Sequence, residues 1–334
     1  MILTGSTQIE FDQYIPPDVT VNDDGTVALA DQTKVYRFNN QVDQFLQSFT
    51  GMGMPPIKYI TQSGPYQDGE TVLDYKLQTR LIQYIHRRNG CSRTEYWSNR
   101  GDLINWLRPN RQLIGQLKPG RLRKIQPDGT KRDIEAFLMF GPVFGARNPG
   151  QWDEWALTEA LRFRCDDPTF FDPALQTVTW TIAPDDGLIF YESPDWTGHL
   201  TFPIVFSGDA ISAYQTVSGY AGTWPSFPTI IFTGPIDAPR IENTTLGEMI
   251  ELTYNVAAGE TVTIDLSFGN KTVKSSSGAN LIGTVTTDST LGTFRIAPDP
   301  EAPDGDNVLY ASGAGGALGA TAVEVQYYTR YIGI

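Results

Sequence analysis

The sequence predicts a mainly β protein of two domains. Residues 1–173 read as an N-terminal β domain with one short helix, and residues 174–334 as a C-terminal β-sandwich. Three observations predict this. Short runs rich in Val, Ile, Thr, Tyr and Phe alternate with period two and are bounded by Gly, Pro, Asn and Asp. Glycine (32) and proline (22) are as plentiful as many turns require. A length of 334 residues exceeds one ordinary hydrophobic core.

Residues 18–29, DVTVNDDGTVAL, predict a hairpin around Asp24-Gly25, with Val19 and Val21 on one arm and Val27 and Leu29 on the other. IKYITQ and TVLDYKLQTRLIQYIHRR follow as longer strands. Tyr75, Leu77, Leu81 and Tyr84 do not keep one period, so a bulge or break is expected near Gln78–Arg80. One helix is expected over 99–108: Asn99 caps it, Asp102 adds charge at its positive end, and Leu103, Trp106 and Leu107 form an apolar stripe that Pro109 ends. Alone it would be marginal, so it must pack on something, a neighbouring subunit being one answer. Strands around QLIGQLK and RLRKIQ come next, then a PDG turn at 127–129. A long strand runs through IEAFLMFGPVF, with Ile134, Ala136, Leu138 and Phe140 on one face. Residues 155–165 fit helix or strand; the alternation of Leu161, Phe163 and Cys165 favours strand.

CDDPTFFDP, 165–173, closes the first domain, and VTWTI, GLIFY and FPIVF carry strand signals beyond it. From Trp224 the β pattern is clearest. Ile250, Leu252, Tyr254 and Val256 share a face, Ala257-Ala258-Gly259 turns the chain, and Val262, Ile264 and Leu266 form the returning strand. Val323, Val325 and Tyr327 mark the last strand. Strands at this spacing argue for a sandwich.

Charge is uneven. The net charge is −13, yet residues 1–172 hold 20 Lys+Arg against 21 Asp+Glu, while 173–334 hold 5 against 17. Within 76–132 there are 14 basic residues against three acidic ones. Such asymmetry speaks of partners and association, not of fold. No apolar run has the length of a membrane span, so no membrane insertion is expected, and MILTGSTQIEFDQYIPP lacks the basic start and apolar core of a secretory signal. Cys91 and Cys165 are far apart and are expected to be reduced thiols.

Chemistry is hard to find. His86 precedes Arg87-Arg88 and His199 follows Trp196-Thr197-Gly198; both are expected to be exposed or hydrogen-bonded, not catalytic. Two His and two Cys do not assemble an ordinary zinc site. The doublets Asp166-Asp167 and Asp185-Asp186 read as turn chemistry. DPEAPDGDN, 299–307, is acidic but lacks calcium-loop spacing. SGAGGALGA, 312–320, is a hairpin loop, and Arg100-Gly101-Asp102 is explained by capping. No catalytic residue, cofactor or metal is therefore assigned, and the protein is not read as an enzyme. The basic segment, with Tyr84, Tyr96, Trp97 and Trp106 interleaved, would suit single-stranded nucleic acid; the favoured reading is that it meets acidic surface within the protein's own assembly.

Several motifs carry a resemblance. PPIKYITQSGPYQDGETVLDYKLQTRLIQ, 55–83, with Gly64-Pro65, Gly69-Glu70-Thr71 and Arg80, resembles the opening signature of siphophage distal tail proteins. The helix with LRPNRQL looks like that family's belt element, within a belt segment of about 76–132. PDGTKRDIEA, 127–136, is similar to its hairpin and DDPTFFDP, 166–173, to the close of its first domain. FPTIIFTGPIDAPRIENTTLGEMIELTYNVAAGETVTIDL, 227–266, and the terminal YYTRYIGI are similar to its second, galectin-like domain. The first fifty residues and the 299–307 loop depart from the pattern. The resemblance implies a ring-forming first domain and six copies around a channel that DNA crosses without specific binding. Implied partners are the major tail tube protein, the tail-tip hub and receptor-binding proteins. The implied location is the virion tail tip, after assembly in the host cytoplasm. The charge count adds Arg87, Arg88, Arg100 and Arg108 as expected subunit contacts, with Trp106 of the helix beside them. The competing reading is a carbohydrate-binding adsorption module, with Trp196, Tyr214, Tyr220 or Trp224 as stacking platform; the His-Asn-Arg-Trp set of a working galectin is absent from the sequence.

Overall fold

Side chains that alternate between the two faces of an extended chain organise most of the structure. The computed structural model describes residues 8–13, 18–21, 27–30, 34–37, 44–89, 92–107, 119–143, 156–182, 210–269, 271–315 and 320–334. It divides into two units, Met1–Pro173 with Tyr331–Ile334, and Ala174–Arg330.

The first unit contains strands β1 (Gln8–Gln13), β2 (Asp18–Val21), β3 (Val27–Ala30), β4 (Lys34–Arg37), β5 (Gln44–Thr50), β6 (Ile57–Gln62), β7 (Thr71–Leu77) and β8 (Arg80–Asn89). Helix α1 (Arg93–Leu107), β9 (Gly120–Ile125), β10 (Lys131–Phe140) and β11 (Ala156–Cys165) follow, and β12 (Phe170–Thr181) leads into the second unit. β8 lies between β5 and β11. β10 serves two ladders, its first half pairing with β9 and its second with β11. β2 and β3 form the expected hairpin, with Val19 opposite Leu29 and Val21 opposite Val27. The chain breaks between β7 and β8 at Gln78 and Thr79, where the period changes. Ile82, Tyr84, Leu103, Leu107, Leu122, Ile134, Leu161, Phe163 and Phe170 form the core, with Tyr331 and Ile334 packed against it.

Helix α1 starts well before residue 99, so Asn99 is not its cap. Ser92 caps it, its Oγ accepting from Glu95 N at 3.2 Å, and Asn99 lies buried inside the helix. QLIGQLK, GLIFY, FPIVF, Cys91 and His199 lie outside the described residues. His86 is buried on β8, which excludes the exposed alternative.

The second unit continues with β13 (Ala210–Val217), β14 (Thr229–Thr233), β15 (Ile236–Asn243), β16 (Glu248–Glu251), β17 (Asn255–Val256), β18 (Thr261–Asp265), β19 (Thr272–Ser275), β20 (Asn307–Ala314) and β21 (Ala322–Tyr331). One sheet runs β19-β18-β14-β21 and on to β12; the other runs β13-β20-β15-β16, with β17 on β15. Between them pack Ile230, Phe232, Val262, Ile264, Val323 and Val325 from one sheet and Ile211, Ile236, Ile241, Ile250 and Leu309 from the other. Burying each such side chain contributes roughly 1.5–3 kcal/mol.

The expected return of 262–266 onto 250–256 is not made. β16 and β17 pair with β15, whereas β18 pairs with β14 and β19. Ala257–Gly259 carries the chain from one sheet to the other. Both segments still face one core, which is why alternation alone looked like a hairpin. The 299–307 loop is held by buried amides: Asn307 Oδ1 accepts from Ala297 N at 2.9 Å and from Asn243 Nδ2 at 3.1 Å. Two of its four acidic groups are engaged too, Glu301 with Arg295 at 3.0 Å and Asp306 with Gly219 N at 2.8 Å.

Candidate assembly surface

Strands β6 and β7 form a two-stranded ribbon of their own. Ile57 faces Leu77, Tyr59 faces Tyr75, and a bulge between Ile60 and Thr61 precedes the Thr61–Val72 pair. Alternation puts Ile57, Tyr59, Leu77, Tyr75 and Val72 on one face. That face is not buried: Tyr59 is 58% exposed, Val72 58% and Tyr75 47%. The turn is ordered, with Gln67 N donating to Gly64 O at 3.1 Å and Gln67 Nε2 to Thr71 Oγ1 at 2.7 Å. A lone ribbon in water is marginal at best. One with an open apolar face and two edges unpaired among the described residues is built to meet another surface.

Helix α1 has a similar excess. Tyr96, Asn99, Leu103 and Leu107 turn towards the core. On the adjacent flank, about 100° round the helix, Trp97 is 54% exposed and Ile104 47%. Arg100 lies over the Trp97 ring, 5.0 Å from its centroid. The apolar surface of the helix thus extends past its core-facing stripe onto an exposed flank. Exposed Trp beside Arg is the composition of an interface centre.

The basic segment is not a uniform positive surface. Arg80 is buried and spends its donors on carbonyls: Nε on Pro168 at 2.8 Å, Nη1 on Gly51 at 2.7 Å and on Gly53, and Nη2 on Ile332 at 2.5 Å. It also stacks on Phe170, 4.6 Å from the ring centroid. Burial pushes its guanidinium down to about 10, so it stays charged at neutral pH. Burial likewise pushes the adjacent Cys165 thiol up to about 12 against the pull of Arg80, which leaves it un-ionised and unreactive. Arg123 forms a two-pronged pair with buried Asp133, both bonds at 2.8 Å. Arg132 meets Asp172 at 3.1 Å and covers the Tyr331 ring.

The residues expected at subunit contacts fall as follows. Arg87 sits half-buried on β8 opposite Thr158 and Phe45, and Arg88 pairs by its backbone with Leu157 and Gln44. Arg100 joins the Trp97 stripe. The side chains of Arg88 and Trp106, and the whole of Arg108 and Trp196, lie outside the described residues. Of the expected stacking platforms, Tyr214 is exposed on β13. Tyr220 is a correction: it is 5% exposed, and its hydroxyl donates to Trp224 O and accepts from Arg330 N, both at 2.8 Å. Its ring is core, not platform. Trp224 is half-buried and its backbone bridges Arg330. The ribbon tyrosines Tyr59 and Tyr75 were not singled out by the sequence; an alternating apolar arm in both β6 and β7 was the available signal. Among the described residues no group of three or more His, Cys, Asp or Glu is placed to hold a metal.

Residues 221–331 match the family model described as siphovirus-type tail component, C-terminal domain. Among solved structures, the crystal structure of the phage SPP1 Dit protein, described as a paradigm of the hub adsorption apparatus in phages infecting Gram-positive bacteria, is similar at 12% identity. The match covers 85% of this chain and 93% of that one, with a TM-score of 0.53. The phage P2 baseplate in its activated conformation is similar at 11% identity, both with Ca (96% and 98% covered, TM-score 0.44) and with Sr (94% and 100%, 0.41). No curated protein matches the sequence. The SPP1 likeness is one of fold. Over residues 221–331 the chain is thus similar to the C-terminal domain of a siphovirus-type tail component. The likeness in fold to the SPP1 Dit protein extends beyond that segment, over 85% of this chain.

Proposed function

We propose that the protein is a structural virion component that closes into a ring at the distal end of a long, non-contractile phage tail. In this reading six copies surround a channel for DNA and join the tail tube to the tail-tip hub and to receptor-binding proteins. The ring forms in the host cytoplasm and ends at the virion tail tip. The observation that carries the reading is the β6–β7 ribbon, whose tyrosine face is exposed, Tyr59 at 58% and Tyr75 at 47%. Covering it with a second copy, head to tail, repeats one interface until rotation closes it. The α1 stripe of Trp97, Arg100 and Ile104 supplies a second contact. The C-terminal unit is read as galectin-like, a scaffold whose excess of negative charge keeps copies apart at the rim. The protein is not read as an enzyme.

The charged part of the interface is tested by reversal. Arg87→Glu combined with Arg100→Glu is expected to shift rings to monomers in native mass spectrometry, most strongly at low salt. Unchanged rings would remove these arginines from the contact.

A further inference from the structure

We infer that the outer face of the β13-β20-β15-β16 sheet is a binding site for a neutral, pyranose-containing saccharide, centred on Tyr214 and Tyr310. The ring reading neither requires nor excludes this site. Register places two rows across the sheet. Tyr214, Tyr310, Glu242 and Met249 stand side by side, and Ser212, Ser312, Arg240 and Glu251 form the row beside them. Inward neighbours such as Ile211, Leu309, Ala311, Ile241 and Ile250 are core, so both rows point away from it. Tyr214 is 67% exposed. Its ring centroid lies 4.6 Å from that of Tyr310, with the planes inclined at 41°, which makes a shallow aromatic trough. Beside the trough Arg240 Nη2 donates to Glu242 Oε2 at 2.6 Å, and both side chains remain partly open to solvent.

The chemistry of this face selects among ligands. Two tyrosine rings present at most a few hundred Å² of apolar surface, against about 800 Å² per partner in a standard protein interface, and their neighbours here are mostly hydroxyls and charges. A protein partner would find no apolar centre. A phosphate-bearing polymer would meet Glu242 and Glu251 in a half-chain that holds 5 basic residues against 17 acidic ones. A neutral pyranose fits both parts: its C–H face lies on the rings, and its hydroxyl rim meets a fixed donor, Arg240, and a fixed acceptor, Glu242. Because the ion pair already holds both groups, little is lost in ordering them on binding.

The site is tested on the full-length protein by saturation-transfer NMR with a panel of neutral oligosaccharides of glucose, galactose, mannose, rhamnose and N-acetylglucosamine. At least one is expected to receive saturation on its ring C–H protons. Tyr214→Ala should then weaken binding by about tenfold, while Tyr214→Phe, which keeps the ring, holds it within about threefold. Native mass spectrometry of the same samples reports assembly separately, so loss of the ring and loss of the sugar site are distinguishable. Absence of transfer to every panel member would overturn the inference, as would transfer that survives Tyr214→Ala with Tyr310→Ala. Loss of a co-purifying tail protein in that double variant, with no saccharide signal, would assign the face to a protein partner instead and equally overturn it.

Discussion

Arg80→Ala is expected to destabilise the first unit by about 3–5 kcal/mol, the largest effect of any single substitution considered. The guanidinium is 1% exposed and serves three separate stretches of backbone: Gly51 and Gly53, Pro168, and Ile332. Removing it leaves four interior carbonyls without their charged donor, each worth roughly 1–3 kcal/mol, with part of the loss recovered by water entering the cavity. The same node seats the last residues of the chain. Ile334 N donates to Met52 O at 3.1 Å, and Gly333 packs so close to Gly53 that an added Cβ would lie 3.0 Å from its backbone. Arg80→Lys should recover less than half the loss, because one ammonium cannot span the directions a planar fork reaches. Urea denaturation gives the magnitude, and hydrogen exchange should show protection lost together at 51–53 and 331–334. A midpoint like that of the parent would mean that these carbonyls are satisfied in some other way.

Tyr59→Asp with Tyr75→Asp is expected to abolish ring formation while leaving the fold intact. The two side chains are cross-strand neighbours on the open face of the ribbon and make no part of the core. Aromatic anchors at interface centres are commonly worth 2 kcal/mol or more, so burying two carboxylates instead should raise the dissociation constant of each contact by about a thousandfold or more. Light scattering should report a monomer, with thermal unfolding close to that of the parent. A variant that unfolds would place the ribbon in the fold and not in the contact.

Period-two patterns made much of the fold legible. The inward sets of β11 and β21 follow directly from alternation, whereas β10 keeps it only through Ile134, Ala136 and Leu138. Its register shifts before Phe140, which is 52% exposed and not on the core face expected for it. What alternation could not tell is which sheet a strand joins, and this is why 250–256 and 262–266 looked paired. The helix start was legible but overlooked: Ser92-Arg93-Thr94-Glu95 has capping-box spacing, whereas Asn99, Gly101 and Asn105 are poor helix residues that made the true interior look like an end. Arg80 was harder. It heads an inward series, Arg80, Ile82, Tyr84 and His86, but its partners are backbone atoms as far away as residue 332. The Tyr214–Tyr310 pair was invisible for the same reason, since only the β13–β20 register joins them. Single exposed tyrosines are common; two in register on one face are read only from the folded chain.

The central claim is that an exposed tyrosine ribbon drives copies of this chain into a closed ring. Native mass spectrometry of the purified protein, with electron microscopy of the same sample, tests it most directly. The account predicts annuli of six times the 37.0 kDa chain mass. A 37.0 kDa particle at every concentration, with no annuli alone or together with tail tube and hub proteins, would contradict it.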